Sequence, residues 1–160
     1  MTSVAKYTKD AKAVIDKIRY ITLATVSEEG IPWNSPVWYK RDKDYNFYSY
    51  SPKNTQHSQN IRANGKVFIV IFDSTASSGD AFGVYMKAKG EEISVKSEAE
   101  KIIKLIWGKE ADSKDPNYFL GGGPLRFYKF TLIDVWVNDS DMKKGVYHDY
   151  RIPIKLNGQK

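Results

Sequence analysis

Between Tyr20 and Tyr50 the chain alternates in a way that leaves few architectures open. Tyr20 to Val26 is rich in β-branched residues, Pro32 to Lys40 forms a second extended run, and Tyr45 to Tyr50 a third. Glu29-Gly30 and Asp42-Lys43-Asp44 interrupt them as short polar turns. Strand side chains point to opposite faces in turn, so this alternation with short turns predicts an antiparallel meander. Short connections also keep loop-closure entropy low. Val67 to Asp73 reads as a buried strand, Phe82 to Val95 as a long strand bent near Gly90, and Leu125 to Val137 as the last. Ser74 to Asp80 and Asp112 to Pro124 read as loops. The polar tail beyond Asn138 offers Tyr147, Tyr150, Ile152 and Ile154 for packing on the barrel or on a partner. About six strands with few helices predict a mainly β fold, a closed or split barrel in one domain over residues 1–160.

Three helices are predicted, two from apolar periodicity and one from its start and stop signals. Ala11, Val14, Ile15 and Ile18 make one apolar face over Lys9 to Ile18, with Thr8 as N-cap. Ala99, Ile102, Ile103 and Ile106 do the same over Glu98 to Trp107, where Ser97 and Glu100 have capping-box spacing. The third helix is predicted from Ser51-Pro52, with serine as cap and proline at the first helical position, to a stop at Gly65. Lys53 to Ala63 is almost wholly polar, with Ile61 as the main apolar anchor. Burying a broad face cannot hold such a helix, so it is either a solvated helix or one organised by a ligand.

Composition removes several function classes. There are no cysteines, which excludes disulfides, thiolate metal sites and cysteine nucleophiles. The longest apolar runs are far shorter than the roughly 20 residues of a spanning helix. Met1 to Asp10 has no apolar leader core, so a cytoplasmic protein without a membrane partner is expected. The net charge of +6 is spread along the chain, and its densest clusters are only Lys40-Arg41 and Lys143-Lys144. Nucleic-acid binding, which needs a denser basic stripe, is therefore the third-ranked expectation. Two histidines, His57 and His148, give no zinc spacing. No serine sits in a G-x-S-x-G elbow. Gly121-Gly122-Gly123 precedes a strand instead of opening a helix, so it reads as a flexible loop and not a dinucleotide fingerprint. No side chain offers an obvious reactive group, and any redox chemistry would have to come from a cofactor.

Four segments in fixed order are more informative: Ser35-Pro36-Val37-Trp38-Tyr39-Lys40, Phe47-Tyr48-Ser49-Tyr50, Thr55 to Asn64, and Val67 to Phe72. Together they resemble the FMN-binding half of the pyridoxamine 5′-phosphate oxidase-like family, with its P-V-W-[YF], F-Y-[TS] and S-R-K-x-x-N-L-x-x-N-P segments. The resemblance covers about Asp16 to Ile93 and continues loosely downstream. It implies a six-stranded antiparallel split β-barrel with peripheral helices, a homodimer with FMN at the interface, and a small-molecule redox substrate. By resemblance Gln56 and His57 stand where the family often has Arg-Lys on the FMN phosphate, with Ser49, Ser51 and Thr55 adding hydroxyls and Tyr50 beside them. Ser35, Pro36, Val37 and Trp38 would follow the edge of the flavin ring, though burial alone would also account for Trp38.

Further along, Phe119-Leu120-Gly121 and Leu125-Arg126-Phe127-Tyr128 loosely resemble F-W-Q-G and R-L-H-x-R. Arg126 keeps the first arginine, while Tyr128 and Phe130 replace the histidine and the last arginine. Tyr85 stands near the position of a flavin-contacting glutamine. The resemblance therefore assigns Tyr85, Arg126 and Tyr128 to the substrate face, with no catalytic acid or base and no metal. The expected function is an FMN-binding protein, an FMN-dependent oxidoreductase of undefined substrate. The alternative is a non-catalytic flavin- or haem-binding barrel using His57 or His148.

Overall fold

The computed structural model describes residues 3–77 and 82–156. Residues 78–80 of the loop expected over Ser74 to Asp80 lie outside them. Helix α1 spans Val4–Lys17 and α2 Gln56–Asn64, while α3 spans Lys96–Trp107. The strands are β1 Tyr20–Val26, β2 Pro32–Trp38, β3 Lys40–Arg41, β4 Phe47–Pro52, β5 Lys66–Phe72, β6 Gly83–Glu92, β7 Leu125–Lys143 and β8 Val146–Ile154.

All ladders are antiparallel, in the order β2-β1-β5-β6-β7-β4-β3, with β8 added beside β7. The path begins with β2 and ends with β3, which are consecutive in the chain with only Tyr39 between them. One bent run thus serves both margins of the sheet, pairing with β1 through Tyr20↔Trp38 and with β4 through Lys40↔Tyr48. Counted that way six strands surround the core, the expected split barrel. Tyr39 sits at the bend, buried, and its hydroxyl donates to Ile15 O at 2.5 Å. Ile21, Leu23, Ile69, Ile71, Val84, Met86, Phe47, Phe130 and Val137 fill the interior, and Tyr7, Ala11 and Ile15 of α1 pack on the same cluster.

Several element ends differ from expectation. Ser3, not Thr8, caps α1, its side chain accepting from Lys6 N, so the helix starts a turn earlier and adds Tyr7 to its buried face. Ser51 and Pro52 do not start α2. They finish β4, paired with Arg126 and Leu125, and a proline at a strand end gives up no needed ladder bond. Thr55 is the N-cap of α2, and Gly65 ends it in the left-handed region at φ 65°. Ser97 lies inside α3, whose N-cap is Val95 without a side-chain bond. The β6–β7 ladder shifts register between Lys87 and Ala88, whose partners are Asp134 and Leu132, leaving Ile133 of β7 as the extra residue. Gly90 marks a close approach, where an added Cβ would stand 2.8 Å from Val67 Cγ2 and 3.3 Å from Ile61 Cγ2.

Beyond Asn138 the chain is a β-ribbon and not an irregular tail. Lys144 (φ 50°) and Gly145 (φ 77°) turn β7 back into β8. Met142, Val146 and Tyr147 are exposed on it, while Ile154 reaches the core. Asp112 to Pro124 contains two 3₁₀ turns, Gly108–Ser113 reaching into it and Pro116–Phe119. Among the described residues no helix is long and apolar enough to cross a membrane.

Candidate functional site

The polar helix α2 is held by hydrogen bonds where it lacks apolar surface. Asn60 Nδ2 donates to Thr25 Oγ1 at 3.0 Å, and Asn64 Nδ2 to Val26 O at 2.8 Å, tying α2 to β1. Ile61 alone plugs the barrel core from this helix. Arg62 donates to Glu92 Oε2 at 3.1 Å and to Lys53 O at 2.8 Å.

The first turn of α2 meets β2. His57 is buried, with Nδ1 3.2 Å from Ser35 Oγ and Nε2 3.1 Å from Thr55 Oγ1. Trp33 Nε1 donates to the same Ser35 hydroxyl at 3.0 Å. Burial pushes the His57 pKa below its ordinary value, so the ring is neutral near pH 7. The Thr55 hydroxyl lies 2.8 Å from Ser58 Oγ and 3.2 Å from Pro52 O, and it makes no cap bond to the helix. The first-turn N–H groups of α2 are thus left uncapped by a side chain, at the positive end of the helix dipole. Beside them β2 pairs with β1 on one flank and is the margin of the sheet on the other. Uncapped N–H donors next to a strand margin suit a phosphate followed by a flat ring with polar edges.

Thus Ser35, Thr55 and His57 come together, with Gln56 exposed beside them and bonded to Asn60 Oδ1 at 2.9 Å. Pro36 is exposed and Trp38 half-buried, whereas Val37 belongs to the core, so only its backbone is available to a ligand. Ser49 and Ser51 point inward and are 1% and 6% exposed. Tyr50, the next outward residue of β4, is 39% exposed and faces Trp38 at 6.1 Å between ring centroids.

The three expected substrate-face residues are placed differently. Arg126 is 8% exposed, and its guanidinium donates to Glu92 Oε1 at 3.1 Å, to Gly123 O at 2.9 Å, to Leu125 O at 2.5 Å and to Gly121 O. Those bonds also tie down the triglycine segment expected to be a flexible loop. Tyr128 has no exposed surface, and its hydroxyl lies between Arg62 and Glu92. Burial pushes its pKa up. Arg126 and Tyr128 are therefore internal supports directly across the ladder from Ser51 and Ser49, and neither lies on an open face of this subunit. Tyr85 pairs with Val70 and Trp136 and lies under the Arg151 guanidinium at 4.1 Å. Two strands separate it from β2, about 14 Å at ordinary strand spacing.

Sequence reasoning missed Glu92, the anion that joins Arg62, Arg126 and Tyr128. It also missed Trp107, whose ring lies 5.6 Å from Tyr50, and it noted Phe119, 5.9 Å from Tyr50, only within the loosely matching Phe119-Leu120-Gly121 segment, with no place at the site. An isolated glutamate and an aromatic at a helix end carry no periodic signal. No group of His, Asp and Glu able to hold a metal is found among the described residues.

Comparison with solved structures places this architecture. HutZ, the heme storage protein from Vibrio cholerae, superposes with a TM-score of 0.63 at 12% identity, covering 81% of this chain and 92% of that one. HupZ of Group A Streptococcus gives 0.61 at 19% identity over 81% and 92%. Atu2129 from Agrobacterium tumefaciens, of unknown function, gives 0.65 at 15% identity over 86% of this chain and 60% of that one. At these identities the likeness speaks for the fold alone. No curated protein matches the sequence. The sequence profile of pyridoxamine 5′-phosphate oxidase matches residues 7–122, most of the barrel and the whole of α2, and on that match the chain belongs to the pyridoxamine 5′-phosphate oxidase family.

Proposed function

We propose that this protein binds FMN at the first turn of α2 and the margin of β2, and that it is an FMN-dependent oxidoreductase of the cytoplasm. The observation that carries the reading is the uncapped N-terminus of α2, with Thr55, Gln56 and His57, beside Ser35 on a margin strand. The fit is through backbone donors and hydroxyls and not through side-chain charge. Gln56 is neutral, and His57 is held neutral by burial. Lys53, with Nζ 3.5 Å from Gly122 O, is a cation on the loop leading into that turn. Ser35 to Trp38 would supply backbone groups to the ring edge, and Tyr50 a ring beside it. FMN, when bound, supplies hydride or electron transfer, and the protein orients it.

The same reading makes the working unit a two-fold dimer. Tyr20, Phe68 and Phe72 expose 59%, 38% and 40% of their surface on the outer sheet face, a pattern suited to an interface. A substrate-face role for Tyr85, two strands removed from β2, then requires the second subunit. The test is an absorption spectrum of purified protein before and after FMN addition, with mass measured in solution. A yellow dimer supports the reading, and colourless protein that takes up no FMN overturns it.

Haem binding is the second reading, favoured by the accessibility of His148 on the ribbon. Both nitrogens of His57 are engaged, so iron would have to take His148. A Soret band lost in His148→Ala and kept in His57→Ala would support it.

A further inference from the structure

His57 sits inside a directional chain of hydrogen bonds that joins β2 to the first turn of α2. Trp33 Nε1 can only donate, and it gives its proton to Ser35 Oγ at 3.0 Å. The Thr55 hydroxyl has one proton, spent on Ser58 Oγ at 2.8 Å or on Pro52 O at 3.2 Å, and Ser58 donates to the same Pro52 carbonyl at 3.2 Å. Thr55 Oγ1 therefore meets His57 Nε2, 3.1 Å away, as an acceptor. Neutral His57 thus carries its proton on Nε2, and Nδ1, 3.2 Å from Ser35 Oγ, accepts the Ser35 proton.

Threonine at an N-cap ordinarily accepts from a first-turn N–H. Here its oxygen is turned to His57 instead, and no cap bond forms. His57 so keeps the turn open to an anion. The neutral ring also holds the one Ser35 proton. A proton placed on Nδ1 makes that nitrogen a donor, and Ser35 Oγ then accepts from both Trp33 and His57 with its two lone pairs. The Ser35 hydroxyl proton is released for an incoming oxygen.

The charged groups around α2 are engaged elsewhere. Lys53 and Arg62, the cations of the loop and helix that carry the ring, are turned to Gly122 O and to Glu92. Tyr128 of β7 lies between Arg62 and Glu92. Glu28 and Glu29 of the β1–β2 turn line a separate groove with Gln56 and Gln59. Lys66, Lys89 and Glu91 of β5 and β6 stand at the C-terminal end of the helix, near Asn64. Among the described residues no charged group shifts the ring, and burial alone depresses its pKa. An anion bound beside it would oppose that shift, because a nearby opposite charge favours the protonated ring.

We infer that His57 is a proton-coupled anchor for a phosphate monoester, taking up a proton as the phosphate binds and releasing the Ser35 hydroxyl to a phosphate oxygen. The inference rests on the proposed FMN site, and it supplies on binding the side-chain charge that the free site lacks. Affinity for the phosphate then rises as pH falls through the interval between the free and the bound titration midpoints of the ring. The chain has two histidines, so the His57 and His148 ring resonances can be followed separately by NMR in the full-length protein. Their titrations are read without ligand, with saturating FMN, and with phenyl phosphate, a monoester that carries no flavin. FMN uptake and affinity are read separately in the visible spectrum.

Both ligands are expected to raise the His57 midpoint by about one unit or more, a tenfold coupling, and to leave that of His148 in place. FMN affinity should rise about fivefold or more between pH 8 and pH 6, the range in which histidine titrates. It should stay within about twofold in His57→Gln, as should riboflavin affinity in the parent. Ser35→Ala should weaken FMN about fivefold at pH 6 and little at pH 8, where the Ser35 proton is spent on His57. FMN uptake with an unmoved His57 midpoint would overturn the inference and leave the flavin reading standing, as would one pH profile shared by the parent and a folded His57→Gln protein. A midpoint raised by phenyl phosphate without FMN uptake would do the reverse. If neither ligand moves the midpoint and no FMN is taken up, both fall.

Discussion

Replacing Glu92 by alanine isolates the charge network beneath α2. Glu92 Oε1 accepts from Arg126 Nε and Oε2 from Arg62 Nη1, each at 3.1 Å. The two arms differ in environment. The Arg126 side chain is 10% exposed, that of Arg62 37%, and that of Glu92 itself 23%. Breaking a buried pair by removing one partner costs about 3–5 kcal/mol, because the other charge stays buried and uncompensated. Arg126 keeps its three carbonyl acceptors and Glu92 is partly wet, so that arm should fall at or below the lower end of the range. The exposed Arg62 arm adds no more than about 0–1 kcal/mol. The expected loss is therefore about 2–4 kcal/mol, a fall of roughly 5–15 °C in Tm for a chain of this size. Urea unfolding of the parent, Glu92→Ala, Arg126→Met and the double variant gives the coupling directly. The double variant should be less destabilised than Glu92→Ala alone, since the stranded guanidinium is gone. A single-variant loss below about 0.5 kcal/mol, within the usual range for a surface change, would refute the claim that Glu92 compensates a buried charge.

Three other outcomes follow from single contacts. Because burial depresses the folded-state pKa of His57, the unfolded chain takes up the proton first as pH falls. The His57 contribution should be complete above the unfolded value of about 6.5 and should decline as pH drops toward the folded one, a slope that His57→Gln abolishes in denaturation series across pH. Tyr39→Phe leaves the Ile15 carbonyl, in the last turn of α1, without its donor and should cost about 1–2 kcal/mol in urea. Gly90→Ala places a methyl against Val67 and Ile61 and should cost about 1–3 kcal/mol by thermal melting, whereas a neutral result would show that α2 can shift outward freely.

Local periodicity carried most of the architecture. The alternation in Tyr20 to Val26 coincides with β1, the buried run read over Val67 to Asp73 matches β5, Lys66–Phe72, to within a residue at either end, and the stripe Ala99, Ile102, Ile103 buries the predicted face of α3. These patterns are readable because each reports one element facing one core. The β7–β8 ribbon went unread for the converse reason. Its outer half, around Lys143 to Tyr147, is exposed on both faces and so has no alternation to detect.

What tertiary structure alone decided lies at contacts between distant segments. Ser51-Pro52 has the residue types of a helix start, but pairing with Arg126 and Leu125, more than seventy residues later, keeps it in a strand and moves the cap to Thr55. Arg126 and Tyr128 have the residue types of a ligand-facing pair, yet Glu92 and Arg62 draw them inward. Polar side chains go where their charge is compensated, and the compensating partner is set by the fold and not by neighbours in sequence. The residue order therefore identifies the family and the barrel, while the inward turn of Arg126 and the gathering of Trp38, Trp107 and Phe119 around Tyr50 follow only from folding.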